Sequence, residues 1–196
     1  HPGDQDENER GHDADGLRQP ARHSEELDRA AGGRREQALG EALGLGLDRE
    51  ESRAAWTALA GQARANGDAP SERAALAALA PLVPTGQRPA VLIRLAALQL
   101  EAGDLGESRR SAEEARTLAP RNLAAAEACR AAAERQGDLS GVAALLGEMA
   151  ELEPDRGGDR LLERARLLAG PLADPAAADR AYREALERLS PQAALA

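Results

Sequence analysis

The chain has 196 residues, a formal charge of −9 and 25 Arg with no Lys, enough length for one large or two small domains. The lone Cys129 excludes an intramolecular disulfide, and Arg interleaved with Glu argues against a nucleic-acid face. The longest nearly uncharged apolar run, Ala74 to Val83, falls well short of the roughly 20 residues that span a bilayer.

Residues 1–16 differ in kind from the rest. Six carboxylates stand against Arg10, a net of −5, so the other 180 residues carry only −4. With no aliphatic side chain larger than Ala14, this stretch reads as a disordered acidic tail or linker. It has no apolar run of the kind a signal peptide needs. The chain opens on His1, not Met, so it reads as a processed protein or a piece of a longer one. A cytoplasmic location is expected, and an upstream targeting signal stays open.

The body is rich in Ala, Leu, Arg and Glu, with no Phe and one each of Ile, Trp and Tyr. Strong helix formers dominate and strand formers are scarce, so an all-α chain is expected. The absence of Lys reads as high-GC coding bias.

Residues 17–52 read as a degenerate helical repeat, with helices over Ala21–Ala31 and Arg35–Leu47 broken by Gly32-Gly33. Asp48 then caps a helix reaching about Asn66, with Ala55, Trp56, Leu59, Ala60 and Ala63 on one face. Asn66-Gly67 closes it and Asp68 opens the next helix, with Pro70 in its first turn. That helix is expected to carry its stripe through Leu82 to Pro84. The stretch from Pro89 to Asn122 repeats the plan, with Leu92, Leu95, Ala96 and Gln99 facing Leu105, Ser108, Ala112, Ala115 and Leu118. Leu123 to Arg156 copies it, and a last copy begins near Asp159 with its turn lengthened by Gly170-Pro171-Leu172.

These copies are in phase. The turns Gly67-Asp68, Gly103-Asp104, Gly137-Asp138 and Ala173-Asp174 lie 36, 34 and 36 residues apart. The terminal prolines Pro84, Pro120, Pro154 and Pro191 lie 36, 34 and 37 apart. A period this long marks a repeat architecture, because one helix pair cannot bury its apolar stripe alone and stacks on its neighbour. The expected fold is an all-α, right-handed superhelical solenoid of antiparallel helix-turn-helix repeats over residues 53–196. Its units cover about 53–86, 89–122, 123–156 and 159–192.

These residues resemble the tetratricopeptide repeat family, as a bacterial member or a fragment of one. In the unit from Arg53, Trp56, Leu59, Ala60 and Pro84 fit the family pattern. From Pro89, the fits are Leu92, Leu95, Ala96, Ser108, Ala112, Ala115 and Pro120. The third unit matches at Gly137-Asp138 and Pro154, and the fourth at Ala178, Tyr182 and Ala185. The chain departs from the pattern where the family carries an aromatic, with Ala63, Gln99, Ala133 and Leu167 instead, which implies a shallower core.

No convergent catalytic set is visible, and neither an enzyme nor a cofactor is expected. His1, His12 and His23 sit in or beside the acidic tail, where flexible ligands would hold a metal poorly, so no metal site is expected. Cys129, on an Ala-rich helical face, reads as a small core residue. Gly44-Leu45-Gly46 lacks the strand and lysine of a phosphate loop.

The family resemblance implies a peptide-binding groove lined by the first helix of each unit. In this chain the matching positions are Thr57, Arg64, Ile93, Leu100, Glu101, Glu127, Glu134, Arg135, Arg160 and Glu163. That set is unlike the Lys/Asn/Arg clamp by which some members hold a C-terminal carboxylate, so a mixed-charge peptide anchored near Ile93 and Leu100 is the expected ligand. The expected function is a protein–protein interaction scaffold. The alternative is a regulatory or sensory region cut from a larger signalling enzyme, a kinase or ATPase. Self-association through the terminal repeats is a third option. Gln192 to Ala196 read as the start of another helix.

Overall fold

The computed structural model describes residues 48–190. The readings for residues 1–47, for the repeat-ending Pro191 and for Gln192 to Ala196 lie outside the described residues. Eight α-helices follow one another among the described residues. They are α1 (Arg49–Ala65), α2 (Ala69–Leu79), α3 (Arg88–Glu101), α4 (Leu105–Leu118), α5 (Leu123–Gln136), α6 (Leu139–Leu152), α7 (Pro154–Ala169) and α8 (Pro175–Leu189). The expectation of an all-α fold holds among the described residues.

The turn inside each pair is set by backbone chemistry. Gly67, Gly103 and Gly137 have φ of 68°, 83° and 73°, the left-handed conformation that ends a helix. The amide of the following Asp reaches back to the last turn, Asp68 to Ala63 O, Asp104 to Gln99 O and Asp138 to Ala133 O, each at 2.9 Å. These bonds satisfy carbonyls that the helix end leaves unpaired. The fourth turn has no Gly at this point. Ala173 takes φ 50° instead, and Asp174 N bonds Leu168 O at 2.8 Å across the inserted residues.

The same Asp then starts the second helix. The side chains of Asp68, Asp138 and Asp174 accept from the amides of Ser71, Gly141 and Ala177 at 3.0, 2.9 and 2.9 Å. Asp104 makes no such cap bond and takes an ion pair from Arg73 instead. Asn122 caps α5 by accepting from Ala125 N at 3.3 Å.

Two boundaries differ from expectation. Helix α2 stops at Leu79 and does not run on to Leu82, because Pro81 lacks an amide proton and its ring obstructs the preceding turn. Helix α7 starts at Pro154, ahead of the expected Asp159, with proline at its first position where no amide is needed. Gly157 and Gly158 therefore lie inside the helix and are buried. A Cβ on Gly157 would stand 2.8 Å from Ala150 O, and one on Gly158 would stand 2.5 Å from Leu189 Cγ. The two glycines let α6 and the end of α8 come close to α7.

Each helix packs on the next in sequence, and α3 also packs on α5. The core is accordingly a series of small clusters. Leu76, Leu79 and Val83 of the first pair meet Leu95 and Leu98 of α3. Ala80 meets Leu92, Ala115 and Ala125. Ala96 and Ala112 meet Cys129; Ala133, Val142 and Leu146 meet one another with Leu167 against them; Ala150 meets Leu161 and Ala185. So many alanines keep the helices close and leave each cluster little apolar area to bury.

Polar ties join one pair to the next. Arg73 pairs with Asp104, and Arg109 pairs with Asp138 at 2.8 Å. In both cases the Arg stands five residues after one cap Asp and reaches the following cap Asp. The third pair has Ala143 at that place. There Arg188 of α8 reaches back instead, donating to Ala150 O at 2.8 Å and pairing with Glu151.

Candidate interaction surface

The residues expected to line a groove all fall on the first helices of their pairs. Thr57 and Arg64 lie on α1, Ile93, Leu100 and Glu101 on α3, Glu127, Glu134 and Arg135 on α5, and Arg160 and Glu163 on α7. Thr57 and Arg64, Ile93 and Leu100, and Glu127 and Glu134 are each seven residues apart, so each couple shares a helix face. Between them at heptad spacing stand small residues: Ala54 and Gly61 on α1, Ala90 and Ala97 on α3, Ala124 and Ala131 on α5. All six are exposed or half-buried.

The face is apolar at α3 and charged beyond it. Ile93 and Leu100 are half-buried, and Ile93 rests on the cluster around Leu92 and Ala125. Glu101, Arg135, Glu163 and Arg64 are exposed. Thr57 is exposed, and its hydroxyl donates to Arg53 O at 2.8 Å. Glu134 is exposed and paired with Arg130 one turn back.

Arg160 behaves differently from its neighbours. It is 8 % exposed. Its Nη2 donates to Glu153 Oε2 at 2.7 Å and to Glu127 Oε1 at 3.2 Å. Burial works against the guanidinium charge, and the hydrogen bonds it donates to Glu153 and Glu127 outweigh it and raise its pKa. Arg160 thus ties α5, the α6 end and α7 together, and only Glu127 of this trio is open to a ligand. Glu153 stands seven residues before Arg160, but the Glu127 partner is not deducible from spacing, since it lies 33 residues away.

A second feature escaped the sequence reading. A half-open cleft of about 170 Å³ lies among α4, α5 and α6, lined by Arg109, Glu113, Arg116, Cys129, Leu145 and Glu148 with three small residues. Both arginines are engaged. Arg109 bonds Glu113, Gln136 and Asp138, and Arg116 donates to Glu148 at 2.9 Å. Cys129 is buried at the cleft wall as expected of a core residue, and burial pushes its thiol pKa up. A thiol held protonated in this way is a poor nucleophile. Asp138, by contrast, is lowered to about 2 by the Gly141 amide first and then by Arg109 and Ser140.

No protein-family model matches the chain, and no curated protein matches it. What stands is an all-helical array of eight sequentially packed helices among the described residues, and the tetratricopeptide resemblance rests on residue pattern. Among the described residues no group of three His, Cys, Asp or Glu is placed to hold a metal ion, and no helix is long and apolar enough to cross a membrane. The three histidines lie outside the described residues.

Proposed function

We propose that the chain is a right-handed superhelical array of tetratricopeptide-like repeats that docks a helical or extended segment of a partner protein along its first helices. The observation that carries this reading is the seam on α3. Ala90, Ile93, Ala97 and Leu100 follow one another at the three-and-four spacing by which one helix receives another. Both large residues keep part of their surface in contact with solvent. The alanines between them leave room for a partner backbone to come close. The neighbouring faces of α1 and α5 carry the same small residues at the same spacing, with Arg64, Glu127 and Glu134 in the large positions. An apolar anchor at the centre with charged contacts at the rim is the usual division of labour at a peptide site.

The test compares the wild-type chain with an Ile93→Glu/Leu100→Glu variant that keeps the same helical circular-dichroism signal. Proteins captured from a lysate and crosslinked next to α3 are expected with the wild type and lost with the variant. Equal capture by both would remove the groove from consideration.

A further inference from the structure

We propose that the outer face of α8 is a self-association surface, on which a second copy of the chain lays its own α8 antiparallel about a two-fold axis passing beside Ala185. The starting point is the register of the second helices. Counted from the cap Asp, the positions five, eight, twelve and fifteen residues on form one heptad-spaced seam. In α2 this seam continues past the helix end as Arg73, Leu76, Ala80 and Val83, and in α6 as Ala143, Leu146, Ala150 and Glu153. In both, the next first helix covers it. Leu76 and Val83 cluster with Leu95 and Leu98, Ala80 with Leu92, Leu146 with Leu167, and Ala150 with Leu161.

In α8 the same seam is Asp179, Tyr182, Leu186 and Leu189. Among the described residues it has no following helix, and its leucines are 62 % and 47 % exposed. They are two of the three large hydrophobics left exposed among the described residues. Leucines so placed, in line and adjacent, mark a contact surface more than scattered exposure does.

The charges beside the seam say which occupant fits. Arg183, paired with Asp179 one turn back, and Glu187 one turn on stand on the same flank, both exposed. An antiparallel copy centred on Ala185 sets Arg183 against Glu187 of the other copy, and Glu187 against its Arg183. The same alignment leaves the two copies of Leu186 on either side of the axis, two residues out of level, and Tyr182 one residue out of level with Leu189 of the other copy, within side-chain reach. A seam and a flank that complement themselves under one two-fold operation are what an isologous contact requires. A parallel copy in register would set Arg183 against Arg183. One helix pair buries less than the roughly 800 Å² per partner of a standard interface, so the dimer is weak and concentration-dependent.

The surface uses none of the first-helix residues and is independent of the groove reading. Sedimentation velocity over a concentration series tests it on the full chain. The wild type is expected to move from monomer toward dimer as concentration rises, and Leu186→Glu to stay monomeric with an unchanged helical signal. Arg183→Glu and Glu187→Arg should each weaken the dimer by about tenfold through like-charge contacts. The double reversal should restore it, since the copies then complement each other again. A constant monomer mass at all concentrations overturns the proposal. In that case, a Leu186→Cys thiol shielded from maleimide in a Cys129→Ala background would give the face to another part of the same chain. A double reversal as weak as either single change overturns the register and with it the proposal.

Discussion

Glu72 and Arg94 meet in a two-pronged ion pair across the first boundary between helix pairs, Nε to Oε1 at 2.8 Å and Nη2 to Oε2 at 2.7 Å. The two ends are unequal. The Glu72 side chain is 4 % exposed and the Arg94 side chain 37 %. Removing Arg94 leaves a carboxylate stranded in the core, whereas removing Glu72 lets the guanidinium swing into water. Arg94→Leu is therefore expected to destabilise the fold by about 3 kcal/mol and Glu72→Gln by about 1 kcal/mol. Urea melts of the two variants check the order, and equal losses would contradict it.

The same pair sets an acid limit. Glu72 has its pKa lowered by the Arg94 hydrogen bonds, against burial, and Asp138 is lowered to about 2 by the Gly141 amide and then by Arg109 and Ser140. Both carboxylates bind protons more readily in the unfolded chain. Their stabilisation is complete above the unfolded carboxylate range near 4 and is lost as pH falls through the folded values. The urea midpoint should be flat from pH 7 to about 5 and fall steeply below about 4. Glu72→Gln should flatten that fall. A midpoint that rises on acidification would show the sign to be wrong.

Ala173 holds a left-handed φ of 50°, where the three earlier turns have Gly. An L side chain is strained there by about 1 kcal/mol, and part of the relief from glycine is offset by added freedom in the unfolded chain. Ala173→Gly should gain about 0.5 kcal/mol, while Gly137→Ala should lose about 1 kcal/mol. A Cβ at Gly137 meets nothing within 4 Å, so the loss there is purely one of backbone conformation. Thermal melts of both variants read the two signs.

Helical glycines of this chain should respond to alanine in opposite directions. Gly61 of α1 has nothing within 4 Å of a built Cβ, so Gly61→Ala should stabilise by up to about 1 kcal/mol. Gly157 faces Ala150 O at 2.8 Å, a backbone atom that cannot turn away. Gly157→Ala should cost about 1–3 kcal/mol in spite of its better helix propensity. Gly158 faces the Leu189 side chain, which is half exposed and can shift, so its alanine variant should fall between the two.

Much of this architecture was readable from residue spacing. The Gly-Asp turns, the caps and the small residues Ser108, Ala112 and Ala115 announced helix pairs in phase, and those pairs form. Local breakers were harder to weigh. Pro81 lies within an apolar stripe that runs on to Leu82, and its missing amide proton ends α2 first, at Leu79. Gly157-Gly158 fall between the expected units 123–156 and 159–192, yet close contact with Ala150 and Leu189 goes with both lying inside α7. Glu72 occupies the position that Ser108, Val142 and Ala178 fill in the other pairs, and nothing nearby in sequence points to Arg94, 22 residues away. Arg160 reads as a groove residue for the same reason, since one of its neutralising carboxylates, Glu127, comes from another helix 33 residues away.

Among the described residues the ties between pairs join neighbouring pairs, and Arg188 closes the series, clasping Ala150 O and Glu151. Tension applied across the described residues would be borne by these pair-to-pair ties in turn. Under a slow pull the helices should part pair by pair, each release lengthening the chain by about 120 Å for its roughly 34 residues. Among the described pairs the clasp at Arg188 is the one nearest a load entering from the C-terminal side, so Arg188→Ala should lower the force at which that pair parts and leave the others alone.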